Sequence, residues 1–559
     1  MWRDWRLFVP KTITVLRQGY RLGNFQRDTV AGLTVAIVAL PLAMALAIAS
    51  GASPGQGLIT AIVAGLVISL LGGSRFQIGG PTGAFVVVVF GVIAKHGYDG
   101  LLMAMVIAGV MLVLAGLFRL GSFIKYIPDT VTTGFTTGIA TIIFASQLKD
   151  IFGLHVDHLP AAFFAELQAL WNARATLSLH TLALSSACFI ASLLLRRFAP
   201  KLPGFLIVTA IAAVAVFALA LPVETIGTRF GGIPSTLPKP SFSFWSWGKV
   251  ADVFPSAFTI ALLAAVESLL SAVVADQMTG RRHRSNMELV AQGLANIASA
   301  ALGGLPATGA IARTATNIRA GAYSPIAGVL HALFLLAFML LMAPSAKFIP
   351  LAALAAILVV VAMNMAEVHR FAALLRSSHG DRAVLLLTFG LTVTVDLTLA
   401  IGVGMVLAAF VFMHRMSQLA TVEGSQLELV EVDQDDFAPG GPIYEPFDGL
   451  PRGTAVITFR GPMFFGAASV LKDATDVIDA RTERYILRFE DVPLLDTTGA
   501  AALSSFLRRA LKDKASVTIC GARETVHQSL TKNIAAVILD HVSFVSSFAA
   551  ACDAARVAA

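Results

Sequence analysis

Two tracts rich in glycine and proline interrupt apolar segments that are otherwise long enough to cross a lipid bilayer. The first tract is residues 79–84 (GGPTGA), and the second is residues 303–310 (GGLPATGA). Glycine and proline end or kink helices, so each tract frees backbone N–H and C=O groups at membrane depth. Because hydrocarbon offers these groups no partner, each tract must be buried in protein or line an aqueous cavity. Paired interruptions in two halves of a chain are typical of a transporter binding site.

A second pair of landmarks repeats with nearly the same spacing. Residues 125–128 (KYIP) match residues 347–350 (KFIP) at a separation of 222 positions, and Gly79 precedes Gly303 by 224 positions. A single match could arise by chance among common membrane residues. Two matches in register predict a duplicated membrane domain.

The composition excludes an ordinary soluble protein. The chain is 56% hydrophobic and 13% charged, with a mean hydropathy of +0.77, which is typical of a polytopic membrane protein. Most basic residues lie at the ends of apolar spans, so the net charge of +7 reflects topology and predicts no nucleic-acid partner. The three cysteines lack the spacing of a disulfide framework or a metal site. We expect no metal, no cofactor, no enzymatic activity and no cleavable signal sequence.

Apolar spans of bilayer length, with shorter half-helices at the two interrupted tracts, number fourteen. They lie near residues 30–49, 55–72, 80–95, 101–118, 126–147, 176–195, 203–222, 253–276, 286–302, 309–320, 325–343, 350–366, 383–395 and 397–413. Every second connection is basic, as at Arg281, Arg282 and Arg284, which predicts that both termini are cytoplasmic. Seven spans per half is an odd number, so the second half must insert upside down. We therefore predict an α-helical polytopic protein with a 7+7 inverted repeat in a bacterial-type inner membrane.

The chain divides into four predicted parts. Residues 1–29 form a cytoplasmic N-terminal segment, residues 30–416 the transmembrane domain, residues 417–450 an acidic linker rich in glycine and proline, and residues 451–559 a soluble α/β domain. The soluble domain shows strand patterns at 454–459, 485–489 and 517–520, and helical patterns at 500–511, 525–530 and after Val542. Its length of about 110 residues suffices for one small domain.

The interrupted tracts predict an anion site. Two half-helices whose amino termini meet near the midplane bring unpaired N–H groups and two positive dipole ends to one point. Threonine hydroxyls add donors, and glycines let the backbone approach the ligand. The alternative is that the tracts only kink helices for packing. The predicted site consists of Thr82, Gly83, Ala84, Thr308, Gly309, Ala310, Ile311, Ala312 and Arg313.

Two ionisable residues lie within the predicted core. A charge at mid-bilayer costs about 3 kcal/mol even on insertion scales, so Arg313 needs a partner or a ligand, unless it extends to the cytoplasmic surface like Arg319. Glu267 is the one acid in its apolar run and is the candidate for carrying a proton; a static salt bridge with Arg313 is the alternative. Asp129 and Asp396 lie near span ends, where solvation suffices.

In the soluble domain, residues 496–499 (DTTG) follow a strand and open a helix. Their oxygen atoms suit an N-cap. The alternative is a regulatory site at Thr497 and Thr498, by phosphorylation or anion contact.

These residues resemble the SulP anion permeases, relatives of prestin and pendrin, over nearly the whole chain. Residues 74–82 (SRFQIGGPT), 267–271 (ESLLS) and 311–315 (IARTA) look like motifs of that family's third, eighth and tenth spans. The C-terminal part resembles its STAS domain, where related anti-sigma-factor antagonists have Asp-Ser-Ser-Gly at 496–499. Residues 79–87 (GGPTGAFVV) are especially similar to bacterial dicarboxylate-type members.

The resemblance implies a core-and-gate fold with elevator-like alternating access, a homodimer, and substrates such as sulfate, bicarbonate, chloride or C4-dicarboxylates. Some animal members have serines where this chain has Ala310 and Ala312, so their halide contacts do not carry over. Sodium-coupled bicarbonate members have an aspartate where Glu267 stands, which favours protons as the coupling ion here.

We therefore expect a proton-coupled secondary active anion transporter. Within the same family, the alternatives are a sodium-coupled bicarbonate transporter, an anion exchanger and an anion channel. A nucleobase permease of similar architecture should lack the STAS domain and more often carries a carboxylate in place of Arg313. A signalling receptor would not need a duplicated, interrupted core.

Overall fold

The computed structural model describes residues 8–122, 128–156, 160, 162–199, 202–395, 397–418, 421–424, 450–451, 453–463 and 482–557. The chain forms two compact units, Met1–Val406 and Leu407–Ala559, and each is described by itself. Residues 125–127 of the first KYIP landmark and Asp396 lie outside the described residues.

Helices make up the membrane unit. The first half contains α1 (Lys11–Arg17), α2 (Leu22–Ala49), α3 (Pro54–Leu71), α4 (Gly83–Leu117), α5 (Asp129–Phe152), α6 (Phe163–Asn172), α7 (Leu179–Phe198), α8 (Gly204–Leu219) and α9 (Ile226–Phe230). The second half contains α10 (Val250–Thr279), α11 (Ser285–Ala301), α12 (Ile311–Arg319), α13 (Ile326–Ala346), α14 (Leu351–Met365), α15 (Val368–Leu375), α16 (His379–Thr394) and α17 (Leu397–Gln418).

Each of the fourteen predicted spans coincides with one of these helices, and two of them fall on α4, which kinks at Gly97 (φ 72°). Within the described residues, nine helices are long and apolar enough to cross a membrane by themselves. Several others are short, such as α12 with 9 residues, so the number of crossings stays a prediction.

The packing of the helices repeats between the two halves. Helices α2 and α3 of the first half both pack against α13. Their counterparts in the second half, α10 and α11, both pack against α4. Two short strands, β1 (Gly79–Gly80) and β2 (Thr308–Gly309), pair antiparallel, so the equivalent segments run in opposite directions. The chain therefore folds as an inverted repeat.

Close backbone contacts hold the first of two helix bundles together. A Cβ atom on Gly109 of α4 would lie 2.6 Å from the Gly293 carbonyl oxygen of α11, and one on Gly57 of α3 would lie 2.1 Å from the Ala43 oxygen of α2. Small residues permit such approaches between membrane helices. Helices α2, α3, α4 and α10–α13 form this bundle, here called the core bundle, while α5, α7, α14 and α16 pack mainly on one another as the second bundle.

The second unit is an α/β domain on a five-stranded sheet. Its strands are β3 (Thr421–Gly424), β4 (Thr454–Arg460), β5 (Arg484–Asp491), β6 (Ser516–Cys520) and β7 (Val542–Val545), in that order, with only the β3–β4 pair antiparallel. Its helices are α18 (Thr497–Lys512), α19 (Glu524–Asn533), α20 (Ala536–Leu539) and α21 (Phe548–Val557).

Two details of this unit differ from the sequence prediction. The helical pattern predicted after Val542 was wrong for its first residues, because Val542–Val545 pairs with β6 and the helix begins only at Phe548. A four-residue segment is too short to show a period, so its pairing decides its structure. Strand β3 lies within the segment assigned to the linker, of which residues 419–420 and 425–449 are outside the described part.

Candidate functional site

The two interrupted tracts meet in the middle of the core bundle. Gly79 pairs with Gly309 and Gly80 with Thr308, and the Ala310 N–H donates to the Ile78 carbonyl oxygen at 2.8 Å. Helices α4 and α12 begin directly after these strands, and their N-cap residues, Thr82 and Ala310, make no side-chain cap bond. In α4 the Phe85 N–H donates to the Thr82 carbonyl oxygen at 3.2 Å, but the first N–H groups of each helix have no acceptor earlier in that helix, and two positive dipole ends lie close together.

The glycines are required by close approaches at this crossing. Gly80 has φ +151°, and a Cβ atom there would lie 2.3 Å from Arg313 Nη1. A Cβ atom on Gly309 would lie 1.8 Å from Gln77 Nε2. No larger residue fits either position without displacing these polar side chains.

Glu267 of α10 is bonded to the start of α4. Thr82 Oγ1 donates to Glu267 Oε2 at 2.8 Å, and both side chains are half-buried. No ion pair among the described residues joins Glu267 to Arg313, in contrast to the static salt bridge considered from the sequence. The carboxylate therefore holds the hydroxyl hydrogen that Thr82 could otherwise offer to a ligand.

Thr308 faces α10. Its side chain is fully buried, and its hydroxyl oxygen lies 2.6 Å from Ser268 Oγ, which also accepts from the Gly309 N–H at 3.1 Å. One turn further along α10, Ser271 donates to Thr314 Oγ1 at 3.2 Å. These hydroxyls fasten β2 and α12 to α10. Ser268 and Ser271 entered the sequence prediction only as part of the 267–271 motif, with no role assigned to either, although both lie on the helix that carries Glu267.

Arg313 remains inside the core bundle. Its side chain is 2% exposed, and Nη2 donates to the Pro81 carbonyl oxygen at 3.2 Å. Its Nε and Nη1 atoms have no hydrogen-bond partner among the described residues. The guanidinium is therefore held beside the crossing with unused donors, unlike Arg319, which is exposed in the last turn of α12.

The helix starts also border the second bundle. A Cβ atom on Gly83 would lie 2.5 Å from Met365 Sδ of α14 and 3.5 Å from Ile143 Cδ1 of α5. Ala84 is buried and Ala312 is exposed, while Ile311 is 43% exposed. The crossing thus lies at the boundary between the two bundles. The first residues of α12 are accessible there.

The other sequence candidates lie elsewhere. Asp129 is exposed and pairs with Arg370. In the α/β unit, Asp496 caps α18 by accepting from the Gly499 N–H at 2.7 Å, which leaves the exposed side chains of Thr497 and Thr498 free of the capping role. Among the described residues, no group of three or more His, Cys, Asp and Glu side chains could hold a metal ion.

Comparison with known proteins identifies this arrangement. The sulfate permease family model matches residues 25–388, which is more than half of the chain. The chain belongs to the sulfate permease family. A STAS domain model matches residues 450–551, so the predicted resemblance is confirmed for both units, and the protein is a multi-pass membrane protein with a C-terminal STAS domain.

Two relatives align with nearly the whole length of this chain. The putative sulfate transporter YvdB of Bacillus subtilis is 40% identical over 517 residues, covering 92% of this chain and 95% of the relative. The bicarbonate transporter BicA of Synechocystis sp. is 30% identical over 523 residues, covering 91% and 90%.

Solved structures agree on the fold. The murine anion transporter Slc26a9 in its inward-facing state has a TM-score of 0.85 at 18% identity, covering 99% of this chain and 95% of that chain. At this identity the likeness shows the fold alone. The transmembrane domain of a cyanobacterial bicarbonate transporter BicA has a TM-score of 0.60 at 27% identity, covering 70% and 98%.

Proposed function

We propose that this family member is a secondary active transporter of anions of the sulfate, bicarbonate or C4-dicarboxylate class. The observation that carries the proposal is the meeting of the α4 and α12 starts on the β1–β2 ladder, with a buried arginine beside them. Helix amino termini bind anions through free N–H groups and the dipole. One relative is named a putative sulfate transporter and the other a bicarbonate transporter, which agrees with such a site.

The anion would bind between the two helix starts. The N–H groups of Gly83 and Ala84 would approach from α4, and those of Ile311 and Ala312 from α12. Arg313 would contribute positive charge beside the crossing. Thr308 would hold the β2 backbone in place through Ser268.

Proton coupling would follow from the Thr82–Glu267 hydrogen bond. An ionised Glu267 accepts the Thr82 hydroxyl hydrogen, whereas a protonated Glu267 can donate to the Thr82 oxygen. The hydroxyl hydrogen then becomes free to donate to an anion. Proton and anion would thereby favour each other at one site, which is the reciprocity that symport requires.

The two bundles support an elevator-like movement. Direct backbone contacts lock the core bundle into one body, and the site lies where that body meets α5 and α14. Movement of the core bundle along the second bundle would carry the anion between the two membrane faces. We further propose a homodimer, with the STAS domain regulating transport or assembly.

Reconstituted uptake tests the proposal. Proteoliposomes are offered labelled sulfate, bicarbonate and a C4-dicarboxylate, each with and without an inward proton gradient and with sodium or potassium outside. We expect saturable uptake of at least one anion that rises with external acid and does not require sodium. Absence of uptake and of binding for every anion, in monodisperse protein, would contradict the proposed function.

Thiol labelling tests the proposed orientation. Lys239 and Arg282 flank α10 and are both exposed, and Asp513 is exposed in the STAS domain. In a cysteine-free background, Lys239→Cys should react with an impermeant reagent from outside intact cells. The basic connections are predicted to face the cytoplasm, and the connection that carries Lys239 lies between two of them, on the opposite side. Arg282→Cys and Asp513→Cys should react only after permeabilisation. Labelling of Lys239→Cys and Arg282→Cys from the same side would refute the topology.

A further inference from the structure

A large cavity separates the two bundles at the end of the membrane unit opposite α1. Its volume is about 1360 Å³, and it is lined by the end of α2, the α4 segment from Val86 to Lys95, and parts of α5, α6, α10, α16 and α17. Val86 lies one helical turn from Thr82. The cavity therefore leads from this end of the protein towards the start of α4, and under the proposed topology it opens to the outside.

Five charged residues line this cavity: Lys95, Lys149, Asp150, Glu166 and Arg229. Four of these charged groups are stabilised by an ion pair, a hydrogen bond or contact with solvent. Arg229 lies 2.8 Å from Asp150 Oδ1 and also contacts Glu224, Lys149 Nζ donates to the Val156 carbonyl oxygen at 2.6 Å, and Lys95 is exposed.

Glu166 is the exception. It is 6% exposed, and its carboxyl group makes no hydrogen bond or ion pair with any residue that the structure describes. It lies on α6, in the connection between two predicted spans and outside the membrane-spanning segments. The Glu166 carboxyl group lines the cavity, and a largely buried carboxylate that has no protein partner favours its neutral form.

The elements packed on α6 bring few charges to Glu166. Helix α5 contributes Lys149 and Asp150, and the turn Ala173–Thr176 contributes Arg174, which is exposed and stacks on the Trp171 ring at 4.9 Å. The charged side chains of α16 lie in its first turn, at the opposite end from the cavity-lining Thr392 and Thr394. Burial raises the pKa of the Glu166 carboxyl to about 7, so the group is neutral below that pH and ionised above it.

We propose that Glu166 is a proton-binding group at the outer entrance and that its charge controls anion capture. With Glu166 protonated, the cavity presents three cations against the single carboxylate of Asp150, and this positive field concentrates anions near the start of α4. With Glu166 ionised, a second carboxylate faces the entering anion and weakens that field. The inference rests on the proposed anion transport and adds a site to it.

This proton differs from the one assigned to Glu267. A proton on Glu166 stays at the entrance and is not carried with the anion, so it cannot change how far a gradient drives accumulation. It changes the external concentration at which uptake is half-maximal. The two roles can therefore be separated by measurement.

The test uses Glu166→Gln, which fixes the neutral form at nearly constant size. Initial uptake is measured against external anion at about pH 6 and about pH 8, on either side of the Glu166 pKa, with the internal pH held constant. In the wild type we expect a KM roughly three- to tenfold lower on the acid side. Because protonation of Glu267 would also favour anion binding, the pH comparison is made by anion exchange in a Glu267→Gln background, where the lower KM on the acid side should be present with Glu166 and absent with Glu166→Gln. In the otherwise wild-type chain, Glu166→Gln should keep the wild-type accumulation ratio. Glu224→Gln, which removes a half-exposed carboxylate beside the same Arg229, should keep the pH dependence.

In the Glu267→Gln background, a dependence of KM on pH that is the same with Glu166 and with Glu166→Gln would overturn the assignment. A transporting wild type whose KM is the same at both pH values would also overturn it, while the proposed function would stand. Absence of all anion uptake would instead remove the proposed function, and this inference with it.

Infrared difference spectra of purified protein between the two pH values give a readout without transport. A carboxyl band should appear on acidification of the wild type and should be weaker in Glu166→Gln by the contribution of one carboxyl group, since Glu267 can contribute a band of its own. If Glu166→Gln does not fold, a wild-type spectrum without a titrating carboxyl band is sufficient to reject the proposal.

Discussion

Glu267→Gln is expected to abolish acid-driven accumulation of the anion while preserving anion binding and exchange. The glutamine amide can donate to Thr82 Oγ1 as a protonated Glu267 would, so the Thr82 hydroxyl remains free for the anion. Because the amide neither gains nor loses a proton in the cycle, a pH gradient has no group on which to act. A gradient of one pH unit offers about 1.4 kcal/mol per proton, or about tenfold accumulation for electroneutral one-to-one symport. We expect this tenfold factor to fall to about one.

The measurement compares steady-state accumulation with exchange of labelled for unlabelled anion in the same proteoliposomes. Asp252→Asn serves as the matched control, because Asp252 lies in the first turn of the same helix and is exposed. It should accumulate anion as the wild type does. Accumulation against the gradient by Glu267→Gln with acid outside would show that Glu267 is structural, or that the driving ion is not a proton.

Arg313→Ala is expected to weaken anion binding by about 10- to 150-fold, which corresponds to the loss of about 1.5–3 kcal/mol for a charged hydrogen-bond partner. The guanidinium is 2% exposed, and two of its three nitrogen atoms have no partner among the described residues. Its charge is therefore little screened at the crossing. Removal should reduce affinity for every anion of the class.

Arg319→Ala is the matched control, since Arg319 is exposed at the other end of the nine-residue α12. Arg313→Met keeps much of the buried volume and separates the loss of charge from the loss of packing. Binding to purified protein is measured by calorimetry, and thermal unfolding reports folding. Wild-type affinity in a folded Arg313→Met protein would make Arg313 a structural support for the Pro81 carbonyl, and the anion site would have to lie elsewhere.

Local patterns of the sequence determined most of the architecture. Apolar length fixes where helices can span a bilayer, and glycine with proline fixes where they break, so each predicted span coincides with a helix. Pro128 and Pro350, which close the repeated KYIP and KFIP landmarks, directly precede α5 and α14. In the STAS domain, short apolar runs typical of buried strands located β4, β5 and β6. These features depend on neighbours in the chain and are therefore readable from it.

The register of the repeat needed the structure. Aligning the two glycine tracts by sequence matches Gly79 with Gly303, 224 positions apart, whereas the N-cap residues of α4 and α12, Thr82 and Ala310, are 228 positions apart. Each tract contains one Gly-Gly pair, but in the second tract the strand is formed by Thr308–Gly309 and not by that pair. The positions of the strand and of the helix start therefore had to come from the structure.

The partners of the charged and hydroxyl side chains were also decided only in three dimensions. Thr82 and Glu267 are 185 positions apart and hydrogen-bonded, while Glu267 and Arg313, the pair considered from the sequence, form no ion pair among the described residues. Glu166 gave no signal in the sequence, because its burial comes from helices that pack on α6 from distant parts of the chain. A side chain's partner depends on the direction of its Cα–Cβ bond and on the crossing of helices far apart in sequence, and neither is encoded in the residues next to it.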